Sequence, residues 1–232
     1  MDQRADVTRR IFDRDDRPPR GRSRDHTPPV ATIRRVWDAV ENAPGHIRTL
    51  IHFLLLLPLR REEGQGLLWS EVNLDEKRIT IRAERMRARQ AHSLPLSEAA
   101  LAILAERASC RAADDRVFAP PSGSKTINWD YWVTRIRVAL DEDKLERSRR
   151  FNLHDIRRSF VSALAEGDSE SDERGFDVDL LDQLLGHTRK GVFGTYQRSS
   201  RWREKKLAMA AWANLVIPSA AARDNVVSIR AR

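Results

Sequence analysis

The chain has 232 residues, 41% of them hydrophobic, and 42 lysines and arginines against 34 aspartates and glutamates, for a formal net charge of +8. That length and apolar content suit one large domain or two small ones with a real core, and the basic excess favours a polyanionic partner such as nucleic acid. The longest apolar run, FLLLLPL at 53–59, is far short of a membrane span; the Arg- and Asp-rich N-terminus carries no secretory pattern; and the single cysteine, Cys110, excludes an internal disulfide and fits a reducing cytosol.

Residues 1–29 end in RPPRGRSRDHTPP and cannot bury apolar area, which predicts a disordered tail or linker remnant before a single domain over 30–217. Ile33, Val36, Trp37 and Val40 then fall on one helical face. Pro44-Gly45 breaks that helix, and a second follows with Ile47, Leu50, Ile51, Leu54 and Leu55 inward and Pro58 at its end. REEGQGLLW reads as a short helix. VNL, RITIRA and HSLPL are short alternating runs that predict a three-stranded antiparallel sheet. Helices return at about 97–108, 126–142 and 154–166, the last stopped by Gly167, with an acidic loop at 167–175. Further helices are expected at about 178–185, 189–198 and 200–215, with a C-terminal tail over 218–232. The class is mostly α with one small three-stranded antiparallel sheet.

There is no glycine-rich phosphate loop and no Cys/His cluster with metal-ligand spacing, so neither cofactor nor metal is expected. His26, His46, His52 and His92 have no close partners in sequence and read as solvated or packed. LHDIRRSF sets His154 and Arg157 at i and i+3, LLGH puts His187 at a helix end, and Tyr196 follows nine residues later. PLRREE sets Arg60 at the mouth of a short helix with Glu63 three residues on. Singly, each has an ordinary explanation: a chance spacing in an arginine-rich chain, a tyrosine at a core rim, a helix-surface ion pair. Small and polar neighbours, GTYQRSS, argue against deep burial of Tyr196.

Together, PLRREEGQGLLWSEVNL, AERMRARQAHSLPLS, LHDIRRSF and LLGHTRKGVFGTYQR occur in an order that resembles the catalytic domain of the tyrosine recombinases, especially phage-type integrases. The resemblance covers about residues 30–216. It implies an enzyme of site-specific recombination whose nucleophile, Tyr196, attacks a DNA phosphate to form a 3′-phosphotyrosyl link. It implies further that Arg60 and Arg157 grip the phosphate, that His154 is a general acid/base and that His187 donates to the phosphate. Glu63 then matches the acidic residue that orients the site. Duplex DNA is the implied partner, with a homotetramer assembled on it, a full-length recombinase or a DNA-bending accessory protein beside it, and a cytoplasmic, nucleoid-associated location. The physics agrees. Arginine's planar fork matches the equatorial oxygens of a transferring phosphoryl group, and a tyrosine with an ordinary pKa near 10 needs a base or nearby cations to attack.

Two departures stand out. The family has a lysine between its second and third strands that protonates the leaving oxygen, whereas Arg87 stands at that position here, and arginine donates a proton poorly. The resemblance also implies a helical core-binding domain ahead of the catalytic one, and only about 30 residues precede the first helix. The competing expectations are a non-catalytic, recombinase-derived DNA-binding module and a type IB topoisomerase-like relaxer. Val226, Val227 and Ile229 in the tail suggest a segment that docks on a neighbouring subunit.

Overall fold

The computed structural model describes residues 26–110, 115–120, 126–142, 144–166, 175–187 and 201–218. Among them are helices α1 (Val30–Ala39), α2 (Gly45–Leu56) and α3 (Arg61–Gln65), and strands β1 (Val72–Asn73), β2 (Arg78–Ile81) and β3 (His92–Pro95). Helices α4 (Glu98–Ser109), α5 (Trp129–Ala139), α6 (Asp155–Glu166), α7 (Val178–Leu184) and α8 (Trp202–Val216) follow. The expected helix at 189–198, the residue Tyr196 within it and the apolar patch at 226–229 lie outside the described residues, as does most of the N-terminal tail. The last tail residues, 26–29, are described: Pro28 is buried, and Ser159 Oγ donates to its carbonyl at 2.5 Å.

Helix α2 is the centre of the core. Its sequence is apolar nearly all round, and Ile47 and every residue from Thr49 to Leu56 are buried, as such a helix requires. The Thr49 hydroxyl is satisfied locally by the Gly45 carbonyl at 2.6 Å. Helices α1, α3, α4 and α8 pack around α2. Helix α8 buries Ala208, Met209, Trp212, Ala213 and Val216. The Trp212 indole nitrogen donates to the Leu55 carbonyl at 2.8 Å, and its ring meets Phe160 of α6 edge-on at 5.5 Å.

The sheet is antiparallel in the order β1-β2-β3, with Val72 opposite Ile79, Ile79 opposite Leu94 and Ile81 opposite His92. Alternation sends Ile79, Ile81 and Leu94 into the core and leaves Thr80 beside Ser93 on the other face, their hydroxyls 2.9 Å apart. Two elements are shorter than the pattern predicts, for one shared reason. The buried Glu71 carboxylate accepts from the Leu68 and Arg82 amides at 3.1 Å each and from the Arg85 guanidinium. That single acceptor stops β2 at Ile81, turns residues 83–85 into a 3₁₀ turn, and closes a second 3₁₀ turn at 69–71. REEGQGLLW is therefore helical only to Gln65, and Leu68 leaves the helix to bridge Arg116.

His92 ties the sheet to α7: its Nε2 donates to the Leu184 carbonyl at 3.1 Å. Gly186, in the left-handed region at φ +67°, ends α7 beside it, and a Cβ there would press within 3.3 Å of the His92 ring and the Met86 methyl. Burial pushes the His92 imidazole down to about 4, against smaller opposing pulls from the Leu184 carbonyl and Glu63. Among the described residues no helix is long and apolar enough to cross a membrane.

Trp212→Ala is expected to lower the unfolding free energy by about 3–5 kcal/mol in urea titrations, through a large cavity and an orphaned carbonyl. Leu207→Ala, on the exposed side of the same helix, should change it by less than about 0.5 kcal/mol. The unfolded chain binds a proton on His92 near 6.5, whereas the folded chain holds it neutral down to about 4. His92 therefore contributes stability that is complete above about 6.5 and is lost as the pH falls towards 4, by about 3 kcal/mol in total. His46, His52 and His154 are also lowered, so the measure is the difference between parent and His92→Gln, whose decline over this range should be shallower. Parallel curves would contradict the assignment.

Candidate active site

The exit from α2 creates the site. Pro58 cannot continue the helix, and the chain runs extended until Arg60, which caps α3. An arginine has no acceptor for the free amides of the helix start, so capping is taken over from the other side of the turn. Glu63, only 6% exposed, receives both the Arg60 amide and the Arg60 Nη1 at 2.8 Å. Glu63 thus holds Arg60 in place while leaving the rest of its guanidinium in the open. Arg85 donates to the Glu63 carbonyl at 3.0 Å, which anchors the β2–β3 connection on the same turn.

Arg157 enters from α6 and is 3% exposed. Its Nη1 donates to the Pro58 carbonyl, and its Nη2 donates to the Leu185 carbonyl at 2.8 Å. Two neutral carbonyls satisfy its geometry without cancelling its charge. Burial first, then the positive field of Arg60, lowers the Arg157 guanidinium to about 10, with Glu63 acting in the other direction; it stays charged at neutral pH.

The histidines flank this pair. His154 sits just ahead of α6, where Asp155 accepts from the Asn152 amide at 2.8 Å and the Asn152 side chain accepts from the His154 amide at 3.3 Å. Desolvation, then Arg157 and Arg158, hold its imidazole below the usual histidine value, so the ring is neutral and basic at neutral pH. His187, just past Gly186, has Nδ1 3.3 Å from Asp182 and Nε2 3.4 Å from Arg157 Nη2. These contacts assign the proton to Nδ1, with Nε2 accepting from the arginine.

Arg60, His154 and Arg157 share a cleft of about 300 Å³ with Asn152, Asp130 and Trp129. Trp129 is pinned to α3 by its bond to Gln65 at 2.8 Å and by Arg61 over its ring at 5.7 Å. On the other side Arg60 and Glu63 line a second cleft, of about 640 Å³, with Arg85, Arg87 and Arg89 from the β2–β3 connection. Arg87 is exposed at its rim. Arg60, Glu63, Arg87, His154, Arg157 and His187 are thus gathered around adjoining clefts, while Tyr196 lies outside the described residues. Among the described residues no three His, Cys, Asp or Glu side chains are grouped as for a metal ion, and Cys110 is exposed.

Sequence reasoning missed Glu71, Arg85, Asp182 and the linking role of His92. Asp182 lies five residues before His187, beyond the spacing at which helix neighbours meet, because the bond forms only after the chain turns at Gly186. Glu71 and Arg85 are 14 residues apart and meet only across the sheet.

Residues 30–202 match the model of the Phage integrase family. The chain is 27% identical over 189 residues to Prophage integrase IntZ of Escherichia coli (strain K12), covering 81% of this chain and 44% of that protein. It is 27% identical over 176 residues to Prophage integrase IntA of the same organism, covering 73% and 38%. It therefore spans less than half the length of these curated relatives. Similar solved structures are the XerA recombinase (TM-score 0.53, 16% identity, 93% of this chain and 68% of that one) and the integrase of mycobacterium phage Brujita (TM-score 0.55, 16% identity, 86% and 66%). At that identity they speak to the fold alone, which is that of a recombinase catalytic domain. With the family match running through the arginine turn, the sheet and the His-x-x-Arg helix, the chain belongs to the phage integrase family of tyrosine recombinases.

Proposed function

We propose that the chain carries the catalytic machinery of a site-specific DNA recombinase that cleaves and rejoins duplex DNA through a 3′-phosphotyrosyl link to Tyr196. The observation that carries this reading is the convergence of Arg60 and Arg157 on one open cleft, Arg157 held by two neutral carbonyls and Arg60 fixed by Glu63. The positive charge of Arg60 lowers the affinity of Arg157 for its proton, so holding the two cations together is electrostatically costly. A phosphate between them removes that repulsion and accepts the forked N–H groups in pairs.

In this reading His154, kept neutral by partial burial and then by its arginine neighbours, takes the phenol proton of Tyr196 as the oxygen attacks phosphorus. Arg60 and Arg157 stabilise the charge that grows on the non-bridging oxygens, a preorganised electrostatic effect. His187, oriented by Asp182, moves its Nε2 from Arg157 to the incoming phosphate, and this requires the imidazole to gain a proton or exchange tautomer on binding. Arg87 adds positive charge at the rim of the same region. The covalent link conserves the phosphodiester bond energy, so rejoining needs no nucleotide.

The test is covalent trapping. The protein is incubated with sheared DNA from its own source and denatured in detergent, and the ends of the protein-linked fragments are sequenced. The expected result is adducts at a defined sequence, absent with Tyr196→Phe and reduced about a hundredfold or more in rate with Arg157→Lys, which loses the fork. DNA-joining activity unchanged in Tyr196→Phe would overturn the reading.

A further inference from the structure

The segment that leads into α1 is tied to the helix that carries the site. In His26-Thr27-Pro28-Pro29, Pro29 lies at φ −65° and ψ 158°, the polyproline II region. Two successive prolines fix their own φ in advance and offer carbonyls but no N–H groups. The carbonyls are what dock the segment. That of Pro29 accepts the Thr32 and Ile33 amides at the start of α1, at 2.9 and 3.3 Å. That of Pro28 accepts Ser159 Oγ at 2.5 Å, and that of His26 accepts the Arg158 guanidinium at 3.4 Å. Pro28 and Ser159 are both buried.

Helix α6 is therefore gripped from two sides. Arg157 and Ser159 are two residues apart, about 200° around the helix. Arg157 reaches the Pro58 and Leu185 carbonyls on one side, and Ser159 reaches Pro28 on the other. His154 moves with the same unit, because the Arg157 amide donates to its carbonyl at 3.2 Å. Arg60 is held separately, by Glu63 of α3. A shift of α6 thus displaces His154 and Arg157 together relative to Arg60. The packing of Phe160 on Trp212 is apolar and non-directional, whereas the Ser159 hydrogen bond fixes direction as well as distance. Ser159 lines neither cleft, so it acts on the chemistry only through the helix.

Resting on the recombinase reading, we infer that Ser159 is a positioning residue: by seating the 26–29 strap on α6 it sets where His154 and Arg157 stand relative to Arg60. The chain ahead of residue 26 is thereby joined to the arginine cleft by two side chains that directly follow Arg157 in sequence. Attack on a phosphate needs the reacting groups aligned, and a displacement of about 1 Å caused far from the reacting atoms costs about a hundredfold in rate.

The test compares Ser159→Ala and Pro28→Gly, singly and together, in the full chain. In amide hydrogen exchange each single variant is expected to exchange about tenfold faster over residues 155–160, with α2 and α4 at the parental rate. In single-turnover cleavage of the duplex recovered by trapping, each is expected to lower the rate constant about tenfold or more, with the half-saturating DNA concentration within about twofold of the parent and the reacting fraction unchanged. The double variant should cleave no more slowly than the slower single one, because both changes remove the same contact. A parental cleavage rate constant in Ser159→Ala would overturn the inference, as would parental exchange over 155–160. A smaller reacting fraction at the parental rate constant, the mark of partial unfolding, would overturn it too, and so would effects of the two changes that multiply in the double variant. A parent that does not cleave the duplex would instead overturn the recombinase reading itself, and this inference with it.

Discussion

The buried guanidinium of Arg157 is the contact on which the site depends. One side chain from α6 holds the carbonyl at the end of the central helix, through Pro58, and the carbonyl at the end of α7, through Leu185. These two chain ends deliver Arg60 and His187. Replacing Arg157 by an apolar residue would leave two buried carbonyls without a donor, and an unmatched buried acceptor costs about 1–3 kcal/mol. The arrangement ties stability to chemistry, because the bonds that hold the helix ends together also fix the direction of the remaining N–H groups.

The surrounding electrostatics follow from that choice. Arg157 is satisfied by neutral oxygens, and Glu63 is engaged with Arg60 at close range, so a net positive field persists in the cleft. Partial burial and then the same field keep His154 neutral, and stronger burial keeps His92 neutral. Arg85 and Glu71 form the only carboxylate pairing of the β2–β3 arginines that is fully withdrawn from water on its acidic side among the described residues, and it anchors that connection while Arg87 remains exposed. Arg85 is thus paired inward, while Arg87 at the cleft rim faces out.

Much of this was legible in the sequence. The 3.6-residue periodicity from Ile33 to Val40 and from Ile47 to Leu55 read directly as α1 and α2, and the alternation in RITI read as β2, because burial of one face is a local property of the pattern. Arg60, Glu63, His154, Arg157 and His187 stood out as a set through their order along the chain rather than through any one spacing. The rest depended on contacts between distant segments. The truncation of β2 and α3 needed the Glu71 carboxylate, which reads as a solvated turn residue until the sheet folds over it.

The central claim is that Arg60 and Arg157 are preorganised around a single phosphate. A crystal structure of Tyr196→Phe bound to a duplex of the trapped sequence tests it most directly. The account predicts one phosphate within hydrogen-bonding distance of both guanidinium groups, with Arg157 still on the Pro58 and Leu185 carbonyls and Arg60 still on Glu63. A phosphate held by only one of the two, or an Arg157 that abandons its carbonyls to reach the DNA, would contradict it.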